Sequence, residues 1–195
     1  MILLGTKNPH KIEEVRAILR PLGVAVAVAV ALPDVEETGA TFRENAALKA
    51  LAYAEYCGAP ALADDSGLVV PSLGGEPGVR SARYAGKGAG DRANLALLLR
   101  RLGEAGLREP AARFVCSVAL AHRGELLLEV EGVVEGHLVH EPRGGGGFGY
   151  DPVFFHPGSG CTFAELPAER KNACSHRGEA LRALARRLPE VADEL

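Results

Sequence analysis

Residues 2–32 read ILLGTKNPHKIEEVRAILRPLGVAVAVAVAL, and the alternation of short apolar runs with one amphipathic stretch decides the fold class. Ile2-Leu3-Leu4 is a buried-strand candidate followed at once by a Gly-Thr-Lys-Asn loop. From Pro9 the spacing turns helical: Ile12, Val15, Ile18 and Leu19 share one face, with Glu13, Glu14 and Arg16 opposite. Pro9 suits a first helical turn and Pro21 marks the end. Residues 24–32, bounded by Gly23 and Pro33, then predict a second strand. Strand, loop, helix, strand is the opening of an α/β protein.

The rest of the chain extends this pattern. Thr41-Phe42-Arg43-Glu44 predicts a capping box, in which hydroxyl and carboxylate satisfy orphan NH groups reciprocally. The alanine-rich helix it opens runs to Gly58. ALADD (61–65) predicts a strand ending in two carboxylates. Residues 71–90 are too rich in Gly, Pro and Ser for a helix, and Asp91 is the expected cap of a third helix carrying Leu95, Leu98, Leu99 and Leu102. RFVCSVALAH (113–122) alternates, and Arg123-Gly124 turns it into LLLEVEGVVEG as a hairpin. PVFF (152–155) reads as a short strand, and SHRGEALRALARRL (175–188) as the last helix, with Leu181, Leu184 and Leu188 inward. No repeat or long linker divides the chain. The expected architecture is one α/β domain over residues 1–195, a mixed sheet in two lobes.

Composition narrows the functions. The chain has 195 residues, formal net charge −3 and no long Lys/Arg block, which argues against a duplex-DNA binder. Aromatic residues are few and do not alternate with Lys/Arg, which disfavours a single-strand nucleic-acid binder. The start MILLGTKNPHK lacks a basic leader, and AVAVAVAL (25–32) is strand-length, so neither a signal peptide nor a membrane span is expected. Cys57, Cys116, Cys161 and Cys174 form no CxxC pair, which argues against structural zinc and fits reduced thiols in the cytoplasm.

Four segments carry chemistry, each with two readings. GTKNPHK places Thr6, Asn8 and Lys11 at a helix start, either an anion site or a simple cap with a solvated lysine. Asp64-Asp65-Ser66-Gly67 lies at the end of a strand, where open α/β sheets bind ligands. Its carboxylates suit Mg²⁺, with Glu36-Glu37 able to supply a further oxygen, yet Asp-Ser-Gly is equally good turn chemistry. The side chains of Asp64 and Asp65 should diverge. Lys171, Ser175, His176 and Arg177 put cations at a helix start, against the dipole preference, so they mark either an anionic partner or an exposed basic turn. GGGGFGYDPVFF (144–155) is either a backbone anion nest or a flexible connection. Neither GxxxxGK[ST] nor GxSxG occurs, so a Walker A loop and an acyl-transfer elbow are disfavoured.

In order along the chain, TKNPHK, EETGATFRENAALKA, ADDSGL, LGGEPGVRSARYAG, GGFGYDPVFF and ERKNACSHRGEAL closely resemble the inosine triphosphate pyrophosphatases. The resemblance implies an elongated α/β fold, two lobes with a central substrate cleft, a homodimer and Mg²⁺ dependence. It implies hydrolysis of ITP, dITP and XTP to the monophosphate and pyrophosphate, which keeps these purines out of DNA and RNA. By the same resemblance Thr6, Lys7, Asn8, Pro9, His10, Lys11 and Lys49 would line the triphosphate, and Ser66 would touch the nucleotide. Asp65 would be general base and metal ligand, with Glu36 as the other metal-side acid, in a register that Glu37 also fits. Phe148, Gly149, Tyr150, Asp151, Lys171, His176 and Arg177 would surround base and sugar. Arg177 only donates hydrogen bonds, so it favours a 6-oxo purine over adenine, whose amino group would leave donors facing each other. Two other functions compete: a pyrophosphatase for modified pyrimidine or methylated nucleotides, and a non-catalytic nucleotide sensor.

Overall fold

The computed structural model describes residues 1–29 and 32–195. β1 (Ile2–Leu4), α1 (Pro9–Leu19) and β2 (Val26–Val28) follow in the expected order. Residues 30 and 31 of the second predicted strand lie outside the described residues. α2 (Phe42–Cys57) starts on Thr41 with both halves of the capping box formed. Next come β3 (Ala61–Val69), α3 (Asp91–Glu104), β4 (Ala111–His122), β5 (Glu125–Leu138), β6 (Phe154–His156), β7 (Cys161–Thr162), α4 (Ala168–Cys174) and α5 (His176–Arg187). The sheet order is β2-β1-β3-β4-β5-β6-β7. β1 pairs in parallel with β2 and β3, whereas β5–β6 and β6–β7 are antiparallel, so the sheet is mixed as expected.

The chain forms two compact units. Unit 1 comprises Met1–Ser66, Cys116–Val133 and Asn172–Leu195, and unit 2 comprises Gly67–Val115 and Val134–Lys171. The chain crosses between them within β3, β4, β5 and α4.

In unit 1 both faces of the sheet are covered. Leu4, Leu62, Cys116, Val118 and Leu120 pack with Val15, Ile18 and Leu19 of α1 and Leu181 and Leu184 of α5. On the other face Ala61, Ala63, Ala119 and Ala121 meet Ala46, Ala50, Tyr53 and Ala54 of α2, small side chains on both surfaces. The alternation expected for β4 is therefore present, but both of its registers are buried. Each large aliphatic side chain buried this way contributes about 1.5–3 kcal/mol. In unit 2 Phe114, Phe154 and Phe163 form an aromatic core, with Phe114 and Phe163 stacked at 5.9 Å.

Three local readings change. β3 runs on to Val69, so Asp64-Asp65-Ser66-Gly67 is strand and not a turn. The apolar residues on both sides, Leu62 and Leu68, override the turn preference of Asp and Gly. The N-cap of α3 is Gly90, because the Asp91 carboxylate accepts a hydrogen bond from the Gly149 amide at 2.7 Å instead. Only Phe154 and Phe155 of PVFF are in a strand. The Arg123-Gly124 hairpin turn is as expected, with φ of 51° and 82°, the left-handed pair a two-residue turn needs.

Candidate active site

The period-2 alternation of β3 builds the site in unit 1. Ala61, Ala63 and Asp65 face α2, while Leu62, Asp64 and Ser66 face α1 and α5. The two adjacent acids thus diverge, as the sequence predicts, and meet different partners.

On the α1/α5 face, Asp64 Oδ2 receives the Lys11 ammonium at 2.9 Å and an Arg177 N–H at 3.1 Å. Arg177 also donates to Ser66 Oγ at 2.8 Å and pairs with Glu14 at 2.5 Å. Only 1 % of Arg177 is exposed. Burial alone would push the Asp64 carboxyl up, but Lys11, Arg177 and Lys49 hold it far below the usual carboxylate range. Its Oδ1 is buried without a hydrogen-bond partner. The Cys116 thiol beside it is pushed up to about 12 by burial and stays neutral.

On the α2 face, Asp65 Oδ1 lies 3.3 Å from the Lys49 ammonium, and Oδ2 accepts from the Asn45 amide at 3.2 Å. Lys49 also pairs with Glu37 at 2.8 Å. Here burial wins: the Asp65 carboxyl is raised above its ordinary value although Lys49 opposes the shift, and Glu37 adds to it. Lys49 stays charged, since Asp65, Asp64 and Glu37 outweigh its desolvation. The structure brings Glu37, not Glu36, to this cluster. Glu36 is exposed.

At the start of α1, the Asn8 side chain caps the helix by accepting from the His10 and Lys11 amides, and the Asn8 amide donates to Thr6 Oγ1. Lys11 reaches Asp64 from this turn. Lys7, Pro9 and His10 are exposed, and Lys7 pairs with Asp34 at 2.6 Å.

Unit 2 holds a second group. Asp151 Oδ2 accepts from the Lys171 ammonium at 2.5 Å and from the Phe148 amide at 2.9 Å. The same ammonium lies 4.8 Å from the centre of the Phe148 ring. Tyr150 is buried, its hydroxyl donating to the Ser81 carbonyl at 2.8 Å. Gly147 has φ of +68°, and a Cβ there would collide with the Asp151 carboxylate. The glycines therefore let the loop fold onto Asp151, and Phe148, Gly149 and Tyr150 each make a hydrogen bond there or nearby in unit 2.

His176 is buried at the first position of α5, where Ser175 is the cap. Two residues of the cluster stand outside the sequence reading. Glu14 reads as solvent face of α1, and Asn45 reads as one polar position in an alanine-rich helix. Its only signal is that it precedes Lys49 by four residues, on the same helix face.

Among the described residues no three His, Cys, Asp or Glu side chains gather as a metal cage. Mg²⁺ does not need one, because it binds one or two carboxylates and completes its shell with water and substrate phosphate. Glu37 and Asp65, two hard oxygen donors brought to one ammonium, fit that ion, and the unpartnered Oδ1 of Asp64 is a further buried oxygen. No helix among the described residues is long and apolar enough to cross a membrane.

Residues 2–187 match the model of the Ham1 family. A protein named dITP/XTP pyrophosphatase from Geobacillus kaustophilus is 47% identical over 193 residues, 97% of this chain and 95% of its own. One of the same name from Streptomyces coelicolor is 50% identical over 188 residues, 94% of each chain. The structure of a HAM1 protein from Coxiella burnetii superposes with a TM-score of 0.87 at 43% identity, covering 97% of this chain and 98% of that one. The Staphylococcus aureus Ham1 protein gives 0.83 at 39% identity with the same coverage.

Proposed function

The chain belongs to the Ham1 family, and on that premise we propose that it hydrolyses ITP, dITP and XTP to the nucleoside monophosphate and pyrophosphate. Relatives named dITP/XTP pyrophosphatase support this reading. The observation that carries it is the pair of adjacent carboxylates on opposite faces of β3, Asp64 bound by Lys11 and Arg177 and Asp65 by Lys49 and Asn45.

Asp65 is the general base. Its carboxylate takes a proton from the water whose oxygen attacks the α-phosphorus, and the bond from that phosphorus to the oxygen bridging the α- and β-phosphates breaks, that oxygen leaving with pyrophosphate. Thr6 and Asn8 lie at the amino end of α1, whose positive dipole end favours phosphate, and Lys7, Pro9 and His10 flank it. Lys11 and Lys49 add charge against the leaving group. Mg²⁺, held by Asp65 with Glu37 in the place the resemblance leaves to Glu36 or Glu37, would supply further compensation of that charge.

In unit 2 the Phe148 ring gives a purine a face to stack on, with Gly149, Tyr150, Asp151 and Lys171 building that surface. In unit 1, His176 and Arg177 are further nucleotide-binding residues. Glu14, Asp64 and Ser66 fix the plane of Arg177. A fixed group that only donates hydrogen bonds favours a 6-oxo purine. The cellular role is to keep these purines out of DNA and RNA, by a cytoplasmic homodimer.

Product analysis with dITP, XTP and the four standard deoxynucleotides plus Mg²⁺ tests the reading. The expected result is pyrophosphate from dITP and XTP, with little turnover of dATP. Orthophosphate release, equal rates on dATP and dITP, or nucleotide binding without turnover would overturn it.

A further inference from the structure

Asn45 sits one helical turn before Lys49 on α2, is 0 % exposed, and touches the same two places as Lys49. Lys49 spans Glu37 and Asp65 Oδ1. Asn45 spans the Gly39 amide, which donates to its Oδ1 at 2.8 Å, and Asp65 Oδ2, to which its Nδ2 donates at 3.2 Å. Only one orientation of the side-chain amide serves both neighbours. Reversed, it would set NH₂ against the Gly39 N–H and a carbonyl oxygen against a carboxylate.

Gly39 is part of the device. A Cβ there would lie 2.7 Å from Asn45 Oδ1 and 2.6 Å from Glu44 Cβ, too close for either to stay. A polar side chain buried in an alanine-rich interface is costly unless its polar atoms are met, and here both ends are met. Fold stability alone does not ask for an amide between Ala46 and the sheet.

We infer that Asn45 is a positioning residue: it fixes the Oδ2 edge of Asp65 and ties that carboxylate to the loop carrying Glu37. The inference rests on Asp65 being the base. Lys49 supplies charge to both partners, whereas Asn45 supplies direction, because an amide bonds along defined lines and a rotating ammonium does not.

Three variants test it: Asn45→Asp, which has the same shape and still accepts from Gly39 but sets a carboxylate where the donor to Asp65 stood; Asn45→Ala, which removes both bonds; and Gly39→Ala, which keeps the Asn45 amide but displaces it with the added Cβ. Steady-state kinetics on dITP with Mg²⁺ are read beside hydrogen exchange of the Gly39 amide. All three should lower kcat about 100-fold, the scale of a small misplacement of a reacting group, with KM changed less than about threefold. Gly39 exchange should stay slow in Asn45→Asp and become fast in Asn45→Ala. A kcat near wild type in Asn45→Asp or in Gly39→Ala would overturn the inference, as would slow Gly39 exchange in Asn45→Ala. If a variant at Asn45 does not fold, Gly39→Ala decides by itself. Wild-type protein inert on dITP would defeat the proposed function instead, and the exchange measurements would still decide whether Asn45 holds the loop.

Discussion

The two faces of β3 carry the same side chain, at consecutive positions, in opposite settings. Asp64 faces α1 and α5, where Lys11 and Arg177 converge on one oxygen and hold it ionised. Asp65 faces α2, where one ammonium shared with Glu37 does not outweigh burial, and its carboxyl is raised. Burial is similar, at 6 % and 7 % exposed, so it does not separate them. The number of cations does. A strand places neighbouring residues on opposite faces, and the helices covering those faces give the two carboxylates different partners.

Substitution sharpens this difference, and the largest effect falls on Asp65. Asp65→Asn should lower kcat about 10³-fold, within the range for loss of a general base. The protein should remain folded, with thermal stability unchanged or raised, because a carboxylate that burial disfavours as an anion is gone. A near-normal kcat would move the base elsewhere. Asp64→Asn should do the reverse to stability. It leaves Lys11 and Arg177 short of a buried counter-charge, and losing one partner of such a cluster costs about 3–5 kcal/mol. Denaturant unfolding measures it, and equal stability of the two variants would erase the distinction.

The pH dependence has a definite sign. The folded-state pKa of Asp64 is depressed, so its contribution to stability is present above its unfolded value of about 4 and is lost as pH falls below that. The gap between wild type and Asp64→Asn should therefore be full at neutral pH and narrow in acid. A gap constant to the lowest pH at which both fold would contradict the assignment.

Smaller effects lie around the base. Arg177→Ala should weaken the preference for dITP over dATP about tenfold, the scale of one mismatched donor, and an unchanged ratio would leave Arg177 only its anchoring contacts to Glu14 and Asp64. Phe148→Ala, in unit 2, should raise KM across purine substrates by several-fold, about 1 kcal/mol of stacking, with kcat little changed. An unchanged KM would return residues 144–151 to the status of a loop.

Much of the fold is legible because its signals are local. The Thr41–Glu44 capping box, Pro9 at the first turn of α1 and the Arg123-Gly124 turn are satisfied within a few residues. The alternation of β3 even predicts that Asp64 and Asp65 diverge. What sequence does not reveal depends on partners far along the chain. Asp91 reads as a cap, but its carboxylate meets Gly149, fifty-eight residues away. Glu14 reads as solvent face until Arg177 arrives from the far end of the chain. Lys49 pairs with Glu37, and Asn45 finds its partners only once Gly39 and Asp65 stand on either side of it. α4, spanning Ala168–Cys174, has no strong periodicity and is missing from the sequence reading.

In the proposed reaction water attacks the α-phosphorus. Hydrolysis of dITP in oxygen-18-labelled water, followed by mass spectrometry of both products, reads the point of attack. The label should appear in the nucleoside monophosphate and not in pyrophosphate; label in pyrophosphate would place the attack on the β-phosphorus and contradict it.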